Sequence, residues 1–212
     1  MVSNPDHPPL RSSPACERNQ TAIGSVLREW VDDAGVLLEV GSGTGQHAAY
    51  LIDSFSSLIW QPSDRVPDVT SIMGWAQTSG DSNRIRAPVT LDAADARDWS
   101  RAVPFDSLLT INTLHIMSWS HVCELFRQAA RFSKPQSRFL VYGPFHENGE
   151  PTSEGNAVFD QQLRAEGSGM GIRDIGEVRA VAAANDWLEQ AHYHMPANNR
   201  MLVFLRASPE VS

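Results

Sequence analysis

Lysine is nearly missing from these 212 residues: Lys134 is the only one, and Lys plus Arg total 17 against 25 Asp plus Glu, a formal charge of −8. With that balance, and no segment of clustered arginines, the chain lacks the electrostatic footprint of a phosphate-backbone binder, so nucleic acid is not an expected partner. Cysteine is scarce too. Cys16 and Cys123 lie too far apart in sequence to suggest a metal-ligand pair or a disulfide framework, which fits a reducing cytoplasm. Long hydrophobic runs are absent. The opening MVSNPDHPPLRSSPAC carries Pro, Ser and Asp where a signal peptide needs an apolar stretch, and no later run is long enough to span a bilayer. The expectation is a soluble, cytoplasmic protein with no membrane partner. No metal is expected either, since His192 and His194 alternate on a strand without a third ligand nearby. What is present is 42% hydrophobic residues, enough for a packed core, at a length that suits one α/β domain.

Residues 1–13 are rich in Pro and Ser without periodicity and read as a flexible arm, leaving 14–212 as the domain. Ala22, Ile23, Val26, Leu27 and Trp30 recur at helical spacing, predicting a helix over about 15–31. Val36, Leu37, Leu38 and Val40 then form a short apolar run of the kind buried on both faces of a parallel sheet. Ala48, Leu51, Ile52 and Phe55 return to helical spacing. The alternation continues through SLIWQ, a helix carrying Val69 to Ala76, PVTL, a polar helical connection to Trp99, SLLTIN, a helix from Val122 to Ala129, and FLVYG. Residues 144–155 read as a long loop. Helices around 158–164 and 175–184 and two antiparallel strands near 187–194 and 200–206, joined at MPANN, complete the chain.

The segment LLEVGSGTGQH places Gly41, Ser42, Gly43 and Gly45 between a buried strand and a helix, where missing side chains let a ligand approach the backbone. Gln46 stands where a dinucleotide fingerprint has its third glycine, and no Lys-Ser/Thr pair follows, which removes the P-loop reading. Glu39, ending the strand, would oppose phosphates and favour a cationic amine, as in S-adenosyl-L-methionine. Asp64, after the second strand, is placed for ribose hydroxyls, with Gln61 a competitor and a helix N-cap the structural alternative. Asp92 and Ala93, after the third strand, are placed for an adenine edge, or Asp92 caps a helix. Asn112 ends the fourth strand.

Together with ERN at 17–19, WQPSD at 60–64, INTLHI at 111–116, YGPF at 142–145, TSEGNAVFD at 152–160, GIRD at 171–174 and MPANN at 195–199, these residues resemble class I S-adenosylmethionine-dependent methyltransferases. More closely, the chain is similar to a family of small methyltransferase-like proteins, long catalogued as a domain of unknown function, that includes methyltransferase-like protein twenty-six. The resemblance runs from about Pro14 to Arg206. It implies a seven-stranded, mostly parallel Rossmann-like sheet with the last strand antiparallel, S-adenosyl-L-methionine at the strands' carboxyl ends, and methyl transfer. Met170 departs from the bulky Trp expected before the GIRD motif, implying a differently shaped substrate end.

Displacement at a sulfonium methyl requires an oriented nucleophile and, for many acceptors, a base. His115 is the candidate base, its alternative being a loop histidine with a purely structural hydrogen bond. His47 is expected to pack near the glycine loop, and Arg18 and Asn19 to close over the cofactor. Trp119, Tyr142 and Phe145 offer an aromatic wall or are simply core. Ser153 and Asn156 lie where the long loop could meet substrate, Ser153 equally as a helix cap. Arg173 either pairs with Asp174 or binds a substrate carboxylate. Asn198 suits a turn. The expected activity is methylation of O or N in a small molecule, secondary metabolites among the candidates. The rivals are a non-catalytic cofactor-binding module acting through protein partners and, less favoured, an NAD-dependent oxidoreductase.

Overall fold

A computed structural model describes residues 10–102, 104–167 and 169–208. Residues 1–9 of the expected arm lie outside these. Residues 10–13 do make contacts, Arg11 with Asp68 at 3.1 Å and with the Trp75 indole, which donates to its carbonyl at 2.8 Å.

Three βα units open the fold: β1 (Val36–Val40) with α2 (Gln46–Leu51), β2 (Ile59–Asp64) with α3 (Val69–Ala76), and β3 (Val89–Thr90) with α4 (Ala96–Ala102), all preceded by α1 (Pro14–Trp30). Then come β4 (Ser107–Ile111), α5 (Trp119–Phe132), β5 (Arg138–Glu147), β6 (Glu150–Pro151), α6 (Glu154–Ala165), β7 (Arg173–Asp174), α7 (Ile175–Ala183), β8 (Trp187–Met195) and β9 (Asn199–Arg206). The main sheet runs β3-β2-β1-β4-β5-β9-β8, with β9 antiparallel to both neighbours. This is the seven-stranded, mostly parallel Rossmann-like α/β arrangement expected. Two short strands, β6 and β7, add to the far end of β5.

Each central strand buries both faces because neighbouring residues point to opposite sides. Leu38, Leu108, Phe139 and Phe204 join Trp99, Phe126, Val178 and Trp187 on one side. Leu37, Leu109, Leu140 and Val203 join Ile23, Leu27, Leu51 and Trp60 on the other. Continuous apolar runs such as VLLEV and SLLTI are the sequence record of that double burial.

Half of the expected loop over 144–155 is strand, and its last two residues open α6. β5 continues through Pro144 to Glu147 and turns at Asn148 (φ 55°) and Gly149 (φ 80°) into β6. Asn-Gly with two positive φ values is a two-residue hairpin turn, a signal overlooked among the polar residues around it. Phe55 falls outside the second helix, which ends in a 3-10 turn at Ile52–Ser54.

Candidate functional site

Strand order reverses between β1 and β4, so the loops leaving their carboxyl ends splay apart and open a crevice. A cavity of about 520 Å³ fills it, lined by the glycine loop, Asp64, Asp92, Ala93, Asn112 and Thr113 among others. That size lies within the roughly 300–1,000 Å³ typical of small-molecule sites.

The glycines differ in what they face. A Cβ on Gly45 (φ +84°) would stand 2.7 Å from the Ile72 backbone, whereas one on Gly43 (φ +53°) would meet no protein atom within 4 Å. Gly45 is thus required by the contact of α2 with α3, and Gly43 leaves an open cradle toward the cavity. Gly45→Ala is expected to destabilise the fold by about 2 kcal/mol or more, read by chemical denaturation.

Asp64 is not the cap of α3. Asp68 fills that role through Ser71 N, and Asp64 Oδ2 instead accepts from Gly43 N at 3.1 Å, which keeps a carboxylate at the cavity wall. Asp92 Oδ1 accepts from Ala94 N at 2.9 Å in a local turn, while its carboxylate also faces Arg65 at 3.5 Å and His121 at 4.0 Å. His121, with Ser118 and Met117, lines the same cavity and escaped the sequence reading. Position alone would have found it, because residues opening the helix after β4 belong to the crevice.

Glu39 and Gln61 do not line the cavity. Glu39 is buried beneath the loop, where its carboxylate accepts from the Trp60 indole at 3.0 Å. Burial raises its pKa, hydrogen bonds from Ser42 and Trp60 opposing the shift. Gln61 spends its amide on the carbonyls of Pro62 and Ala87. Cys16 does line the cavity, its thiol pushed up to about 12 by burial and by Glu39. Because Glu39 holds its proton more tightly when folded than unfolded, the stability it contributes is present at low pH and lost as pH rises through its folded pKa. Glu39→Gln, which keeps a hydrogen-bond acceptor for Trp60, is therefore expected to raise the Tm at pH 8 and change it little at pH 4, measured by thermal scans at both.

A second cavity, about 370 Å³, adjoins the first and shares Ser13 and Asn112 with it. Asn112 sits at φ 56° with its N–H on the Tyr142 carbonyl at 2.8 Å, a turn that sets it between the two spaces. Arg18, Asn19, His115, Tyr142 and Asn156 line this second cavity. Arg18 and Asn19 thus face the second space and not the first; Asn19 Oδ1 meets His47 Nε2 at 2.8 Å, and His47 lines the first cavity with its pKa lowered to about 4 by burial. His115 is buried with its ring edge on Phe159, centroids 5.3 Å apart, and its backbone carbonyl accepts from Gly171 N at 2.9 Å. Burial, and then the charge of Arg173, lower its pKa to about 4, so the imidazole is neutral at pH 7. The Tyr142 hydroxyl is buried without a hydrogen-bond partner among the described residues.

Several expected substrate contacts lie elsewhere. Phe145 is buried in the core on the α5 side, and Trp119 packs against that core beneath the Arg173 guanidinium, 5.9 Å from its ring centroid. Ser153 caps α6 through Asn156 N at 3.1 Å. Asn198 has a left-handed turn conformation, φ 56°, and offers its carbonyl toward Thr152 and Asn156. Arg173 pairs with neither Asp174 nor open space: its guanidinium donates to the carbonyls of Leu114 (3.3 Å), Gly169 (2.8 Å) and Met117. Asp174 caps α7 and accepts from Gly149 N at 2.7 Å. Met170 lines the first cavity.

The family described as "Protein of unknown function (DUF938)" matches residues 10–206. The chain belongs to that family. Among solved structures, this DUF938 chain is similar to an O-methyltransferase family protein from Burkholderia thailandensis at 16% identity and TM-score 0.76, with 90% of this chain and 57% of that one covered. An O-methyltransferase family 2 protein from Planctomyces limnophilus, solved in complex with apigenin, aligns at 17% identity and TM-score 0.76 over 89% of this chain and 56% of that one. Human N-acetylserotonin methyltransferase, in complex with SAM, aligns at 12% identity and TM-score 0.68 over 89% and 55%. At these identities the likeness is one of fold, and the DUF938 chain spans little more than half the length of each.

Proposed function

We propose that the chain binds S-adenosyl-L-methionine in the first cavity and methylates an oxygen or nitrogen of a small molecule held in the second. The carrying observation is the junction: two cavities meet at Ser13 and Asn112, one walled by the open glycine cradle and Asp64, the other by a neutral imidazole. The motifs shared with small methyltransferase-like proteins and the fold likeness to methyltransferases point the same way. A non-catalytic module would have no use for a second cavity carrying Arg18, His115 and Tyr142 beside the first, and that favours catalysis over the binding-module alternative.

S-adenosyl-L-methionine, when bound, would supply an electrophilic methyl group on a sulfonium that leaves as a neutral thioether. Gly43 lets the ligand come against the backbone, and Asp64 and Asp92 offer carboxylates to its hydroxyl and amino groups. His115 takes the acceptor's proton. A base with a pKa of about 4 suffices, because an O–H becomes strongly acidic as its oxygen gains the methyl, and the imidazole then passes the proton to solvent.

Calorimetric titration with S-adenosylmethionine, S-adenosylhomocysteine and NAD tests the reading. Micromolar binding of the first two, lost in Gly43→Val, is the expected result; preference for NAD, or no binding, overturns it.

A further inference from the structure

Granted the two-cavity reading above, we infer that the acceptor is a small hydroxy acid methylated on oxygen, its carboxylate paired with Arg18 and its hydroxyl set between Tyr142 and His115. The charge inventory leads here. Among the described residues no Asp or Glu lines the second cavity, in a chain of net charge −8. Glu17 and Glu154, close in sequence to lining residues, are not part of the wall. Arg18 is exposed at the cavity and has no ion pair among the described residues, and His115 is neutral at pH 7. The space is therefore cationic at its rim and uncharged within. A protonated amine would enter it with no counter-charge, which disfavours nitrogen acceptors; a carboxylate would find a guanidinium, the side chain best shaped to bind it.

The hydroxyl follows from a different observation. Tyr142 is 1% exposed, and its hydroxyl on the cavity wall makes no hydrogen bond of full geometry among the described residues, although the side chains of Asn19 and Asn199 lie close enough to hold its pKa down against the effect of burial. A buried hydroxyl without a well-formed hydrogen bond costs stability unless a ligand supplies one. A substrate O–H satisfies both neighbours at once, accepting from the phenol while donating to the neutral imidazole. Phe159 and Pro144 leave an apolar surface for the body of the acceptor.

The test uses full-length protein saturated with S-adenosylhomocysteine and a panel of matched pairs, hydroxybenzoates with hydroxybenzamides and 2-hydroxy acids with 2-hydroxyamides, screened by ligand-observed NMR. Carboxylates are expected to bind at least tenfold tighter than their amides, and Arg18→Gln to erase that margin with S-adenosylhomocysteine affinity unchanged. Tyr142→Phe is expected to weaken the hydroxy acids more than the same acids lacking the hydroxyl. No binding from the panel, equal binding within pairs, or a margin that survives in Arg18→Gln overturns the inference while leaving methyl transfer standing. Failure to bind S-adenosylhomocysteine overturns both.

Discussion

His115→Ala is expected to lower methyl transfer by about 100-fold or more while leaving S-adenosylhomocysteine affinity within about twofold, because the imidazole lines the second cavity, proposed for the acceptor, and not the first. The pH profile separates chemistry from mere packing. With a pKa of about 4, the wild-type imidazole is unprotonated across pH 6–8, so its own titration leaves turnover flat there. In the variant no base is at hand, and the rate should climb with pH as the acceptor ionises unaided. Unchanged turnover would remove His115 from the mechanism. Stability carries a second signature. A histidine whose folded pKa lies below the ordinary 6.5 binds its proton in the unfolded chain first, so stability falls as pH drops from about 6.5 to 4. His47 acts in the same direction. His115→Ala should flatten part of that acid loss, seen in denaturation midpoints between pH 7 and 4.

Arg173→Met is expected to destabilise the chain by about 3–5 kcal/mol, since it strands carbonyls that a buried guanidinium had satisfied. Three acceptors from two segments meet at this one side chain: Leu114 and Met117 before α5, and Gly169 before β7. Those segments hold both cavities in shape, Ile116, Met117 and Met170 in the first and His115 in the second. Loss of the clamp should therefore reduce activity beyond what the lost stability explains, at temperatures where the variant is still folded. It should also raise the His115 pKa, which the Arg173 charge lowers, and NMR titration of the imidazole reads that directly. Arg173→Lys keeps the charge but not the planar fork, so it should preserve the depressed pKa while recovering only part of the stability.

Legibility in the sequence followed the range of the interactions. Strands buried on both faces announce themselves as VLLEV and SLLTI, and the glycine loop marks where the first of them ends, so the sheet and its crevice could be read directly. Asp64 was placed at the crevice by its distance from the loop, yet whether it faced Gly43 or capped α3 depended on Asp68, four residues later, taking the cap. For Arg173 the sequence offers Asp174, its neighbour, or a substrate carboxylate as partner; its acceptors are backbone carbonyls up to 59 residues away, which no spacing reveals. Phe145 and Tyr142 lie in one strand, YGPF, and both are buried; the pleat at Gly143 and Pro144 does not say which reaches a cavity.

The order of the elements apart from β6 and β7, the parallel sheet and the glycine loop are legible in the chain itself, because hydrophobic periodicity and glycine act within a few residues of themselves. That Glu39 lies under the loop and not in the cavity, that Arg18 and Asn19 line a second cavity, and that His115 is neutral and enclosed emerge from the folded chain alone. Those outcomes depend on which distant groups share one volume, on the desolvation they impose and on the charges they bring, and chain spacing encodes none of these quantities.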